Sequence, residues 1–459
     1  MQRHQQRSIG FPAIVAAALL LALPLVTRAG TGATTRVSVA SDGAQGNSFS
    51  GGAAISGDGR YVVFNSFASN LVSGDTNGYW DVFVRDTQSG ATSRVSLSTA
   101  GAEGNENATD YSVISADGRT VAFSSWASNL VGGDTNDWAD VFVHDIQTGT
   151  TSRISVASGG TQGNDGSGAP AISSDGRFVA FSSAASNLVD GDTNAQPDVF
   201  LHDMQTGITG RVSVASNGAE ANGPSGLPSL SADGRYMAFT SNAANLVAGD
   251  TNGFGDVFVH DRLTGATTRV SLASGGTQAN DDAGAPAISG DGRYVAFASQ
   301  ATNLVAGDTN AAYDVFLRDT QSGVTTRISV ASDGAQANNG SGAPAISADG
   351  RYVAFSSTAS NLAGDDRNGE ADIFVHDTQT GDTVLVSLAT DGMQGNGPST
   401  DPAIAAAGSV VAFESEASNL VSGDTNQVVD IFVHEQASAP PPGEHDVFLP
   451  LFVRAGGAP

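Results

Sequence analysis

Asp, Asn and Asp recur at offsets 0, 2 and 6 seven times along this chain, a spacing of oxygens with which a loop can wrap a hard cation. The first three sets are Asp75, Asn77, Asp81; Asp134, Asn136, Asp140; and Asp192, Asn194, Asp198; four more begin at Asp250, Asp308, Asp366 and Asp424. Carboxylate and amide oxygens at such intervals suit calcium, the one cofactor the sequence raises. The fuller calcium-loop pattern adds another acidic ligand and a fixed glycine that are absent here. Asp and Asn also cap turns through their own backbone without metal. Calcium binding and plain turn capping are both expectations for these loops, and capping is the simpler.

A second group that could do chemistry is aromatic. All three tryptophans, Trp80, Trp126 and Trp138, fall in the loops that carry the first two Asp-Asn-Asp sets, and Phe67 and Tyr79 join them. Later copies place Ala184, Asn242, Gln300, Thr358 and Glu416 where Phe67 and Trp126 stand. Aromatic side chains gathered among acids suit stacking on a sugar face or a protein hot spot, so these five are the expected ligand-binding residues.

Other reactive types are less promising. His144, His202, His260, His376 and His434 share one repeat position with Arg85 and Arg318. Exchange with arginine, which cannot ligate zinc, suggests a basic partner for nearby acids instead of a metal ligand. Ser, His and Asp are present without a Gly-x-Ser-x-Gly elbow and a local partner set, so no catalytic residue is nominated and an enzyme is the weaker reading. Glycine-rich Gly160 to Asn164 and its copies lack a following helix to bind phosphate.

The elements that must position these residues are set by repetition. A phrase of about 58 residues fills the chain from Thr34 to Glu435. Its anchors are an Arg-hydrophobic-Ser run from Arg36, an Asp-Gly-Arg turn from Asp58, and an Asp-hydrophobic-Phe run from Asp81. The arginine becomes Leu385 and the turn decays to Ala407-Gly408-Ser409 late in the chain. Each unit reads as four short strands; in the third they are Ala171 to Ser174, Arg177 to Ser182, Asp198 to Asp203 and Gly210 to Val214. Fourteen of the 21 phenylalanines occupy two repeat positions, those of Phe181 and Phe200, which marks them as core.

Four-stranded units of this length stack radially, so the expected fold is all-β, a seven-bladed β-propeller. The first outer strand, Thr35 to Val39, precedes any complete unit, and the last unit ends at Glu435 without one. The ring should therefore close by pairing residues near 34 to 39 with residues near 430 to 434.

The Ser-x-Asp-Gly-Arg-Tyr-Val-Ala-Phe phrase, as in Ser289 to Phe297, resembles the repeat of TolB-like, or WD40-like (PD40), bacterial propellers. The resemblance covers all seven copies. It implies a scaffold and not a reaction, because a fold does not specify an activity.

At the ends, Arg3 and Arg7 precede an apolar stretch from Phe11 to Val26 and then Thr27-Arg28-Ala29, which reads as a signal peptide over residues 1–29. The propeller spans 30–436, and 437–459 form a Pro-rich linker with a short apolar tail, Val447 to Arg454, for which surface attachment or sorting is one expectation and strand docking another. Loss of the signal would take the formal charge from −27 to −30, three arginines fewer, and lysine is absent altogether. Nucleic acid is thereby excluded as a partner. With no cysteine, neither disulfides nor a lipoprotein anchor is available.

The sequence thus predicts an exported monomer, periplasmic, extracellular or on the cell surface, with no membrane span in the mature chain. It would act as a non-catalytic scaffold for a protein or glycan on the rim of blades 1 and 2. The alternatives are an extracellular polysaccharide lyase or hydrolase, or a structural surface-layer component.

Overall fold

The computed structural model describes residues 32–436 except Asp365. The expected signal peptide, residues 1–29, and the expected linker and tail, residues 437–459, lie outside the described residues. The first described element is β1 (Ala33–Arg36), and blade 1 follows as β2 (Ser50–Ile55), β3 (Tyr61–Ser66), β4 (Asp81–Asp86) and β5 (Ala91–Arg94). Blade 2 is β6 (Ala108–Ile114), β7 (Thr120–Ser125), β8 (Asp140–Asp145) and β9 (Thr150–Arg153). Blade 3 is β10 (Ser167–Ile172), β11 (Phe178–Ser183), β12 (Asp198–Asp203) and β13 (Ile208–Arg211). Blade 4 comprises β14 (Ser225–Leu230), β15 (Tyr236–Ser241), β16 (Asp256–Asp261) and β17 (Ala266–Arg269). Blade 5 comprises β18 (Ala283–Ile288), β19 (Tyr294–Ser299), β20 (Asp314–Asp319) and β21 (Val324–Arg327). Blade 6 comprises β22 (Ser341–Ile346), β23 (Tyr352–Ser357), β24 (Asp372–Asp377) and β25 (Thr383–Leu385). Blade 7 has β26 (Ser399–Ile404), β27 (Val410–Ser415) and β28 (Asp430–Glu435), and its fourth strand is β1.

That closure makes seven antiparallel four-stranded sheets a ring. Ala33, Thr34, Thr35 and Arg36 pair with Glu435, His434, Val433 and Phe432, as the orphan strands in the sequence require. Among the described residues no helix is long and apolar enough to cross a membrane.

The repeat residues explain each blade. In the hairpin between β2 and β3, Asp58 Oδ1 accepts hydrogen bonds from Ser56 Oγ and the Arg60 amide, at 2.6 and 3.0 Å, while Gly59 takes φ +77°. The matching glycine of blade 2, Gly118, lies on Tyr61 of blade 1: a Cβ there would sit 2.3 Å from the ring. Glycine therefore serves both the turn and the approach of neighbouring blades. Arg60 reaches back to Asp86 in a two-pronged ion pair of 2.9 and 2.7 Å, and five further blades repeat it. Within each sheet the two phenylalanine positions stack, as Phe64 on Phe83 at 5.8 Å, and both are fully buried.

The innermost strands carry an irregularity that the expected boundaries overlooked. The third begins at Ser167, not Ala171, and its register shifts between Gly168 and Ala171 around a left-handed Ala169, φ +47°. Pro170 follows, and Pro228, Pro286, Pro344 and Pro402 stand at the same place. Proline has no N–H to offer, so it fits an inner edge strand and blunts that edge against foreign strands. The outer strand of the same blade is also displaced from expectation, Ile208–Arg211 instead of Gly210 to Val214.

Candidate binding site

Departures from sevenfold repetition gather in one sector, where blades 7, 1 and 2 meet the axis. Blades 1 and 2 lack the inner-strand proline: Ala53 takes its place in the first, and in the second the pairing puts Ser112 there with Tyr111 just before it. In blade 2 the inner strand also holds one more residue than its sisters, which displaces its register between Ala108 and Ser112. The exposed Tyr111 consequently borders two hollows.

The first hollow is a cavity of about 610 Å³ on the axis, with walls from Phe49, Gly51, Gly52, Trp80, Tyr111, Asp401 and Glu414 among others. Glu414 stands where other blades have Asn65, Ser124, Ser182, Thr240, Ala298 and Ser356. Its Oε1 accepts from Thr400 Oγ1 at 2.9 Å, and its Oε2 accepts from the Gly52 amide at 3.3 Å. Gly51 makes room for it, since a Cβ at that residue would lie 2.8 Å from Oε2. Burial first, and then the charge of Asp401 beside it, push the Glu414 carboxyl up to about 7. Asp401 itself is exposed, at φ +48°, the same left-handed position that Ala169 and Ala343 fill in their blades.

The second hollow is an open groove of about 430 Å³ between blades 2 and 3, lined by Thr109, Tyr111, Trp126, Trp138, Asp165 and Ser182 among others. Trp126 and Trp138 face each other at 6.2 Å between ring centroids and are 46% and 44% exposed. The Ser182 hydroxyl, at the groove wall, finds no protein partner.

The five expected aromatics are thus divided. Trp80 is only 4% exposed, clamped between Phe49 at 5.2 Å and Phe67 at 4.6 Å. It is a wall and not an exposed anchor, because the sequence could not show that Phe49 and Phe67 would cover it. Phe67 remains 48% exposed above it, and Tyr79 is half-buried.

The Asp-Asn-Asp loops hold a cation of the protein's own. Arg94 Nη1 lies 3.2 Å from Asp75 and 3.0 Å from Asp81, and its side chain is buried. Arg153 bridges Asp134 and Asp140 at 3.2 and 3.1 Å, and Arg211 bridges Asp192 and Asp198 at 3.6 and 3.1 Å. Arg36, Arg269 and Arg327 repeat the arrangement. The asparagines serve as caps: Asn77 Oδ1 accepts the Tyr79 amide at 3.0 Å, Asn136 Oδ1 the Trp138 amide at 3.1 Å, and Asn194 Oδ1 the Gln196 amide at 2.8 Å. Asp192, Asp198 and Glu220 gather closely enough for a metal, yet Arg211 pairs with all three. Burial and the Asp198 charge push Asp192 up to about 6. A guanidinium therefore stands among the oxygens that the Asp-Asn-Asp spacing presents to a cation. In blade 6, Leu385 replaces the arginine and Gln394 Nε2 donates to both Asp366 and Asp372, at 2.9 and 2.8 Å.

Among the described residues the five histidines of the repeat make no ion pair with an acid. His144 Nδ1 meets Thr151 Oγ1 at 2.9 Å, and His202, His260 and His376 repeat that contact with their own threonines. Burial lowers their affinity for protons, and His434 falls to about 4. Arg85 and Arg318 donate to the equivalent threonines, so the shared requirement is a donor and not a charge.

No family model matches this chain, and no curated protein does. Among solved structures it is similar to an oligogalacturonate lyase in complex with manganese, with 11% identity, a TM-score of 0.53, and 89% of this chain and 94% of that one covered. It is similar also to the β-propeller domain of the Trilobed protease from Pyrococcus furiosus, with 11% identity, a TM-score of 0.51, and coverage of 85% and 98%. TolB from Acinetobacter baumannii aligns at 14% identity with a TM-score of 0.40, covering 83% of this chain and 81% of its own. At these identities the likeness to the lyase and to the Trilobed protease domain is one of fold alone.

Proposed function

We propose that the protein is an exported, monomeric, non-catalytic binding module that seats an uncharged glycan on the rim of blades 1 and 2. The observation that carries this reading is the Trp126–Trp138 pair: two large rings, each nearly half exposed, at the wall of an open groove. Apolar ring faces with a few hydroxyls and a carboxylate nearby match a pyranose, which presents C–H faces and equatorial hydroxyls together. Among the described residues no arginine lines the groove, and the chain carries 47 acidic against 20 basic residues, so a uronate polymer would be repelled.

Tryptophan fluorescence of the protein without its first 29 residues, titrated with neutral and acidic polysaccharides, tests the reading. Trp80 is buried and should report little, so a saturable shift of the red-edge emission with a neutral glycan is the expected result. A flat response to every glycan would contradict it and leave a protein as the occupant to seek.

A further inference from the structure

The axial cavity offers a second kind of recognition, independent of the glycan reading. Its wall combines two carboxyl groups, Glu414 and Asp401, with aromatic surface from Phe49, Trp80 and Tyr111, and the Glu414 carboxylate and the Phe49 ring flank Gly51 together. Both acids depart from the repeat: the Glu414 site elsewhere holds small, uncharged or amide side chains, and the Asp401 site holds Gly52, Ala169, Leu227, Ala285 and Ala343 in blades 1, 3, 4, 5 and 6. Among the described residues the cavity has no arginine or histidine in its wall, although arginines are interposed between buried acids on the outer loops of six blades. Two other acid-lined hollows, with Asp117, Asp145 and Asp175 in one and Asp319 and Asp349 in the other, each carry an arginine in the wall, Arg119 and Arg351. More than nine-tenths buried in the same wall, Trp80 has an indole N–H that meets no protein acceptor.

We infer that this cavity binds an organic cation, an ammonium or guanidinium group on an aliphatic stem, with the charge at Glu414 and Asp401 and the stem against Phe49 and Tyr111. Three physical points favour such a ligand over a metal ion. Two carboxylates supply too few oxygens for calcium, which takes six to eight. A ring face attracts organic cations and buries their methylenes, whereas it offers nothing to a strongly hydrated metal. The cavity of about 610 Å³ lies in the volume range of small-molecule sites.

Glu414 makes binding report itself. Its carboxyl stands at about 7, so near neutrality it holds a proton part of the time, and a cation must displace that proton. Asp401 is the other ionisable carboxyl in the described wall, and the remaining ionisable group there is the Tyr111 phenol. Binding should therefore tighten from pH 6 to pH 8 and release a fraction of a proton at pH 7.

Calorimetric titration of the whole protein with agmatine tests the inference, with n-butanol as the uncharged control and calcium as the metal control. The expected result is saturable binding of agmatine at pH 8, weakened about tenfold or more in Glu414→Gln and in Asp401→Asn, with neither control binding at the cavity. Heats at pH 7 in two buffers of different ionisation enthalpy should show proton release in the unaltered protein and none in Glu414→Gln. A Trp126→Ala, Trp138→Ala double variant should bind agmatine normally, which separates this site from the glycan groove. Comparing agmatine with the tripeptide amide Gly-Arg-Gly decides whether a free amine or a peptide side chain is the better source of the cation. No saturable heat in the folded protein, equal affinity in both acid variants, or calcium competing with agmatine on equal terms would each overturn the inference.

Discussion

Arg269→Leu should cost about 3 kcal/mol or more of folding free energy at pH 7, the range seen when one partner of a buried ion pair is removed. Arg269 Nη1 lies 3.0 Å from Asp250 and 2.9 Å from Asp256, and the arginine side chain is only 7% exposed. Leucine would fill much of the space and leave two carboxylates facing each other without a cation. Blade 6 shows how a leucine is tolerated: Gln394 turns its amide nitrogen to both acids there. Blade 4 has no such provision, because Gln278 Nε2 donates to Gly249 O and Thr251 Oγ1, at 2.7 and 3.1 Å. In blade 2, Gln162 already donates to Asp134 and Asp140, so Arg153→Leu should cost less than Arg269→Leu.

The pH dependence has a definite sign. Burial, and next the Asp256 charge, already hold Asp250 above the ordinary carboxylate range, and Arg269 pulls the other way. Without Arg269 the folded carboxyl should bind protons more tightly still than the unfolded one. A raised acid gains folded stability as pH falls, so the deficit of the variant should be greatest near pH 7 and shrink toward pH 5. Urea unfolding of both variants at the two pH values measures this. An equal, pH-independent loss in Arg153→Leu and Arg269→Leu would show that lost side-chain packing, and not charge, is the cause.

Removing residues 1–40 should be the more damaging change. The closing strand fixes blade 7 through four paired residues, and Val37 beyond it is 2% exposed. Ser38 Oγ donates to Asp430 Oδ1 at 2.6 Å, and Arg36 pairs with Asp424 and Asp430. Burial of Val37 and Val39 contributes on the order of 3 kcal/mol together. Asp430, wholly buried, would be left without its guanidinium, which adds about 3 kcal/mol more. The loss rivals the whole stability of many domains, so β28 should become an open edge and blade 7 should be cut early by protease. A synthetic peptide of residues 32–40 should restore protection in proportion to its concentration. Protease resistance unchanged by the deletion would contradict closure by β1.

Those two results also separate what the sequence makes legible from what it does not. Periodicity announces the ring and its closure, since an outer strand at one end and a missing one at the other leave a single arrangement. It gives the phenylalanine core, because Phe64 and Phe83 recur with their partners. The charge network is harder to see. Arg94 and Asp81 are each conspicuous as repeats, but they are thirteen residues apart, and only the β4–β5 pairing brings the guanidinium between Asp75 and Asp81. The loss of arginine at Leu385 beside intact Asp366 and Asp372 is the trace of that pairing in the sequence.

The site was half legible for similar reasons. Tryptophan enrichment points to blades 1 and 2, yet only cross-strand geometry sorts buried Trp80 from exposed Trp126 and Trp138. Tyr111 has a subtler trace: Arg94 to Arg153 spans 59 residues where its neighbouring intervals span 58, and the extra residue belongs to the inner strand of blade 2. Glu414 is visible as an acid at a position otherwise without one, and Asp401 replaces the glycine, alanine or leucine of blades 1, 3, 4, 5 and 6, but thirteen residues of separation hide that they share one cavity wall.

The most direct test compares two sets of alanine variants for binding of the neutral glycan that shifts the fluorescence most. One set, Tyr111→Ala, Trp126→Ala and Trp138→Ala, lies on the proposed sector; the other, Phe254→Ala and Tyr313→Ala, removes exposed aromatics from loops of blades 4 and 5 on the same rim. Each variant of the first set should weaken binding about tenfold or more, and the second set should leave it unchanged. Equal losses in both sets, or none in the first, would contradict a site on blades 1 and 2.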